Sequence, residues 1–276
     1  MKNSILILIS LLFLTGCSNK YVEVIKESPY TERVWETYKN GRDGQKKYEG
    51  YFKYGKKEGL RTNWYENGQK EAEGNYKNDK EEGVQTWWYE TGQKKFEMNF
   101  KNGNKEGIQT GWYENGQKKL EGNVKDRKKE GLYTHWYENG QKRGEINYKN
   151  GKKEGLETGW NENGQKRGEI NWKNGKKEGT QTYWDGNGQK IYEVSFRNGK
   201  IEGLYTQWYE NGKKMLEGNY KNGKQEGLST YWYENGQKRV EGSFKNGKLD
   251  GLRSEWNENG QKKSEENYRN GEIVKP

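Results

Sequence analysis

The segment Gly131-Leu132-Tyr133-Thr134-His135-Trp136-Tyr137-Glu138-Asn139-Gly140-Gln141-Lys142 decides the fold, because a version of it returns every 24 residues. Its tryptophan recurs at Trp64, Trp88, Trp112, Trp136, Trp160, Trp184, Trp208, Trp232 and Trp256. The glycine that opens each copy recurs from Gly59 to Gly251. The turn glycine stands at Gly68, Gly92, Gly116, Gly140, Gly164, Gly188, Gly212, Gly236 and Gly260, and Gly44 extends that column one step back. A fixed period of this size is the signature of a repeat array.

Each regular unit reads as two strands and two turns. Leu132, Thr134 and Trp136 alternate with period two, and Asn139-Gly140 is a hairpin signal. The second strand runs from Lys142 to Lys149, with Gly144, Ile146 and Tyr148 on one face, and ends at the turn Asn150-Gly151. It holds an aromatic column at Phe52, Tyr76, Phe100, Tyr148, Trp172, Phe196, Tyr220, Phe244 and Tyr268, with Val124 the exception. A two-residue loop at Asn139-Gly140 would oppose Trp136 with Arg143 and split the two apolar rows between the faces. A three-residue loop, Glu138-Asn139-Gly140 with a left-handed glycine, opposes Trp136 with Lys142 and Thr134 with Gly144. It predicts one apolar face carrying Leu132, Trp136, Ile146 and Tyr148, since a one-residue slip would invert every side chain.

The predicted opposite face carries Tyr137, Glu145, Asn147 and Lys149. Its glutamate recurs without a gap at Glu49, Glu73, Glu97, Glu121, Glu145, Glu169, Glu193, Glu217, Glu241 and Glu265, and a lysine column runs from Lys46 to Lys262. One reading is a ligand-binding or metal-binding ladder. The other is a solvated face of cross-strand charge pairs, each worth at most ~1 kcal/mol. Catalysis needs a carboxylate once, so a column present in every unit reads as part of the building block.

Composition alone would point to disorder. Leu, Ile, Val and Phe make up about 14% of the 276 residues and the net charge is +10, values typical of chains that cannot bury a core. The strict tryptophan spacing overrules that, and apolar burial falls to 12 Trp, 21 Tyr and 6 Phe.

Residues 1–16 read as an export signal. Lys2 supplies the positive start, and Ile5 to Leu14 is an apolar run too short to cross a bilayer as a helix. Leu14-Thr15-Gly16-Cys17 resembles the lipobox of bacterial lipoproteins, which implies cleavage before Cys17 and diacylglycerol on its sulfur. The alternative is an ordinary secretory signal with a chance cysteine. The expected product is an exported, membrane-anchored lipoprotein at the outer membrane or cell surface, delivery to the outer membrane being what the family rule implies for Ser18. Cys17 is the only cysteine, so no intrachain disulfide forms. Residues 17–34 read as the lipidated cysteine and a tether, with a short strand at Tyr21-Val22-Glu23-Val24. Residues 35–58 read as an atypical capping unit, with Asn40 where tryptophan is due, and 59–276 as nine repeats. The last strand, Lys263 to Arg269, puts Ser264 and Glu266 where other units hold apolar residues, the polar edge that an open sheet needs.

The pattern from Glu-Gly-Leu-x-Thr-x-Trp-Tyr-Glu-Asn-Gly-Gln-Lys to Glu217-Gly218-Asn219-Tyr220-Lys221-Asn222-Gly223-Lys224 resembles the bacterial variant of the MORN repeat, over about residues 35–274. Such chains are often labelled YwqK-family antitoxins of toxin–antitoxin systems. The resemblance implies an all-β fold, an elongated antiparallel β-meander of stacked hairpins in a single-layer twisted sheet. It implies a scaffold that associates with membrane or protein, or an antitoxin or immunity protein with a cognate toxin; the aromatic-lined hairpins add glycan as a ligand class, by stacking and cation–π contacts.

Partners are therefore expected to be the membrane, through the lipid on Cys17, and a protein, glycan or phospholipid ligand. Nucleic acid is set aside, because an exported, anchored chain rarely meets it. No catalytic residue, cofactor or metal is expected. The one histidine, His135, shares its column with Asn63, Trp87, Gly111 and Gln207, and the sequence carries no His/Cys cluster, phosphate loop or nucleophile elbow.

Overall fold

Period-two alternation becomes strand after strand. The computed structural model describes residues 22–28, 31–38 and 45–275; Cys17, the lipobox, Asn40 and Gly44 lie outside the described residues. Those residues contain strands and turns and no helix. The chain divides into two units at Gly140/Gln141. In unit one, each strand from Val22–Ser28 to Lys128–Trp136 pairs antiparallel with its sequence neighbour. Unit two repeats this from Lys142–Lys149 to Glu272–Ile273. Each is an antiparallel β-meander of hairpins.

Turn chemistry sets the hairpins. At the first turn Tyr113 N–H donates to the Gln117 carbonyl (2.9 Å) and Gly116 N–H to the Tyr113 carbonyl (3.0 Å). Gly116 takes φ +84°, so the loop has three residues and a left-handed glycine, as the sequence predicts. At the second turn Asn150 and Gly151 take φ +51° and +79° between the paired Lys149 and Lys152, a two-residue loop of the twist hairpins favour. Asp126-Arg127 fills that turn once, with Arg127 at φ +61°. A side chain there is strained. Arg127→Gly should therefore stabilise the protein by up to ~1 kcal/mol, less what glycine's freedom in the unfolded chain offsets; a denaturant midpoint that falls would contradict this.

Two bulges per repeat correct the predicted faces. Trp160 does oppose Lys166, but the next pair is Gly159 with Gly168, so Arg167 is an extra residue on the second strand. Thr158 consequently opposes Glu169, not glycine. One inserted residue reverses parity. Thus Trp, Thr and Leu share a face with Glu, Lys and Asn, while Ile146 and Tyr148 belong to the other. The second bulge lies at Glu-Gly-Leu. Ile146 spans the gap between Glu145, paired with Thr158, and Asn147, paired with Glu154, and Gly155 takes φ +81°.

Burial follows the corrected faces. The leucine column is exposed, with Leu60, Val84, Ile108 and Leu132 at 43–65% in unit one. The threonine column is buried from Thr62 to Thr158, and again at Thr206 and Thr230. On the other face Met98, Val124, Tyr133, Ile146 and Val194 are buried.

The N-terminal end also differs from the sequence reading. Residues 22–28 and 31–34, assigned to the tether, lie in paired strands. Thr37 opposes Lys46 and Trp35 opposes Glu49, so Thr37 stands where later units place tryptophan and Trp35 where they place threonine. The Tyr38 N–H reaches the Gln45 carbonyl at 3.1 Å. Its loop is three residues longer than the Tyr65–Gln69 loop, which slips the sequence columns by the same amount. At the C-terminal end Glu272–Ile273 pairs with Tyr268 and Arg269 and covers part of the predicted edge. Glu266 opposes Arg253 and accepts the Tyr268 hydroxyl at 2.7 Å.

Candidate functional site

The first candidate is the face bearing the tryptophan and glutamate columns. Its middle is an unbroken cross-strand row. In unit two it runs Glu145, Thr158, Glu169, Thr182, Glu193, Thr206, Glu217, Thr230, Glu241, Ser254, Glu265. In unit one it runs from Glu49 and Thr62 to Glu121 and Thr134. Thr62 and Thr230 donate their hydroxyls to Glu73 and Glu241 at 3.0 Å. Lysine three residues before each glutamate donates as well, Lys94 to Glu97 and Lys142 to Glu145 at 2.7 Å. The carboxylates are thus engaged inside the repeat, by a lysine of their own strand rather than by the cross-strand charge pairs the sequence suggests. The lysines are about half exposed, so each pair contributes little by itself.

Electrostatics track these contacts. Burial would raise the Glu49 carboxyl, but hydrogen bonds from Lys46 and Arg33 outweigh it and hold the group below the usual range. Hydrogen bonds from Lys262 and Ser254 lower Glu265 likewise.

The tryptophans are half-buried in this face. Apart from Trp184, the rings of this column lie under the lysine of the preceding repeat. Lys70 Nζ is 5.6 Å from the Trp88 centroid, Lys94 is 5.6 Å from Trp112, and Lys238 is 5.7 Å from Trp256. Tyr65, Tyr89, Tyr113, Tyr209 and Tyr233, which follow tryptophans and which sequence reasoning left without a role, tie repeats together. The hydroxyls of Tyr65, Tyr89 and Tyr233 donate at 2.9 Å to the carbonyls of Trp88, Trp112 and Trp256. The recurrence of Tyr at 65, 89, 113, 137, 209 and 233 was the available signal. The tryptophan column is therefore a joint between neighbours, while the turn glycines close their own loops. Behind them Asn67 and Asn115 side chains donate to the Glu90 and Glu138 carbonyls at 2.7 and 2.8 Å.

The second row of turns is stitched differently. Glu58, Glu82, Glu154 and Glu226 carboxylates accept the backbone N–H of Asn78, Asn102, Asn174 and Asn246 at 2.7–3.0 Å. This gives the Glu of Glu-Gly-Leu a turn-capping role that the sequence did not disclose.

The other face carries aromatic contacts. Tyr183 and Tyr192 stack with centroids 4.5 Å apart, and burial together with Tyr183 pushes the Tyr192 phenol up to about 12. Lys153 Nζ sits 4.5 Å from the Trp172 centroid, and the indole N–H donates to Glu157 at 2.7 Å. A hollow of about 220 Å³ lies among Arg61, Tyr76, Gln85 and Trp87. That is smaller than ordinary ligand sites. His135 is exposed opposite Leu120. Among the described residues no cluster of three or more His, Cys, Asp or Glu could hold a metal ion.

No curated protein matches the chain. The family described as MORN repeat variant matches nine segments, residues 57–78, 81–102, 105–126, 129–150, 153–174, 177–198, 201–222, 225–246 and 249–270. Each segment begins beside the bulge at Glu-Gly, Asp250-Gly251 in the last, and ends at the two-residue turn, so the matched period is the one the hydrogen bonds repeat. The chain belongs to the MORN repeat variant family and is a repeat scaffold of that type.

Proposed function

We propose that this protein is a lipid-anchored, non-enzymatic scaffold of the bacterial cell envelope, held by acyl chains on Cys17. Its tryptophan-bearing face meets an extended partner. The observation that carries this reading is the exposed aliphatic column. Leu156, Leu204, Leu228 and Leu252 of unit two are 45–51% exposed and recur in phase. Exposed apolar side chains in a row mark contact surfaces. A row presented by every repeat of unit two except the one holding Thr180 adds weak contacts into avidity, whereas catalysis would use a single constellation.

The anchor is tested by fractionation. The unaltered protein should sediment with membranes and need detergent for release, and Cys17→Ser should move it to the soluble envelope fraction. Several acyl chains hold stably because each buried CH₂ contributes ~0.8 kcal/mol. A wild-type protein that is soluble without detergent would defeat the proposal. Recovery of a tightly bound toxin by the same protein would favour the immunity reading instead.

A further inference from the structure

The Asn-Gly turns carry a feature that packing does not explain. Across them like charges stand directly opposite one another. In unit two Lys149 pairs with Lys152, Lys173 with Lys176, Arg197 with Lys200, Lys221 with Lys224 and Lys245 with Lys248. All ten side chains are exposed. None forms an ion pair with a carboxylate among the described residues. Unit one repeats the device at Lys53/Lys56, Lys77/Lys80 and Lys125/Lys128. Only Lys101/Asn104 and Arg269/Glu272 depart from it.

Directly opposed like charges destabilise a strand pair. Glutamates that reach these turns are committed to the backbone: Glu178, Glu202 and Glu226 accept the turn N–H of Asn198, Asn222 and Asn246 at 2.7–2.8 Å. The repeat therefore holds an uncompensated pair of cations where an Asn, Ser or Thr at one member would remove the repulsion. A local rule broken in copy after copy, without compensation inside the fold, is where function is expected. Successive pairs within a unit lie two strands apart, ~9.6 Å. The footprint is long, one pair wide and of one sign. That geometry suits a linear polyanion lying across the strand ends rather than a compact ligand.

We propose that this margin binds a linear anionic polysaccharide of the cell envelope, whose acidic groups meet one cation pair per repeat. The choice of a glycan over other polyanions rests on the envelope location proposed above. Each contact is weak and solvent-screened, so affinity comes from avidity along the row and falls steeply with salt.

The test uses the full chain carrying Cys17→Ser, titrated with polygalacturonate at low ionic strength. A variant combining Lys221→Gln, Lys224→Gln, Lys245→Gln and Lys248→Gln removes two adjacent pairs, and a companion variant replaces the same four lysines by arginine. The glutamine variant should bind tenfold or more weakly while melting at the same or a higher temperature, since it loses only repulsion. The arginine variant should bind like the parent. Unchanged affinity of the glutamine variant, or a lower melting temperature accompanying its loss of binding, would overturn the proposal. So would retention of duplex DNA or anionic phospholipid vesicles by the parent under conditions where polygalacturonate does not bind. Fractionation that places the protein in the cytoplasm would fault the envelope reading, and leaves the outcome of this titration legible on its own terms.

Discussion

Replacing Gly122 by valine should destabilise the protein by about 2–3 kcal/mol, through overpacking and the loss of buried hydrogen bonds. A Cβ at Gly122 would stand 2.4 Å from the Tyr133 ring. That ring is 1% exposed. Its hydroxyl donates to the Asn123 carbonyl at 2.7 Å and accepts from Gln109 Nε2 at 2.9 Å. The valine and the ring cannot both stay. Another repeat shows how the conflict is relieved: Val194 opposes Tyr205, and that tyrosine is only half-buried, edge-on to Tyr220 at 6.0 Å. Tyr133 should move toward the equivalent placement, which limits the loss to its own burial and hydrogen bonds. Tyr133→Phe should then be costly in the parent and nearly neutral beside Gly122→Val. Equal costs in both backgrounds, measured by chemical denaturation, would show that Tyr133 had not moved.

Trp112→Ala should cost about 2–3 kcal/mol, at or below the lower end for deletion of a large core aromatic. Trp112 is half-buried rather than enclosed. It opposes Lys118 and carries Lys94 5.6 Å above its ring, a cation–π contact worth ~0.5–1 kcal/mol at an exposed site. The Tyr89 hydroxyl bond reaches the Trp112 carbonyl at 2.9 Å, so truncation leaves that backbone contact in place. An unchanged melting temperature would mean that the indoles serve a partner and not the joint between repeats.

Much of this architecture is legible in the sequence because it is local. A Gly that needs positive φ, an Asn before it and an alternating strand are decided within a few residues, and the period repeats the decision nine times. The three-residue loop at Glu114-Asn115-Gly116 and the pairing of Trp112 with Lys118 follow from that chemistry. The faces do not. Parity between Trp160 and Glu169 depends on one residue, Arg167, being left out of the ladder, and nothing in its side chain announces a bulge. Hydrophobicity misled here because Leu, counted as core, is exposed on the same face whose middle row of threonines is buried. The tether reading failed for a related reason: residues 22–28 and 31–37 lie in paired strands but share none of the sequence columns, and the longer loop after Tyr38 shifts the phase.

By itself the sequence determined the fold class, the repeat period, the three-residue loop and the likeness to the family, since each is written in short-range spacing and backbone preference. The tertiary structure alone decided which side chains meet. It set tryptophan beside lysine, buried threonine between glutamates, and left lysine opposite lysine at the Asn-Gly turns. Cross-strand register couples residues 11 to 24 positions apart through hydrogen bonds, and a single bulge resets that coupling without leaving a mark in the local pattern.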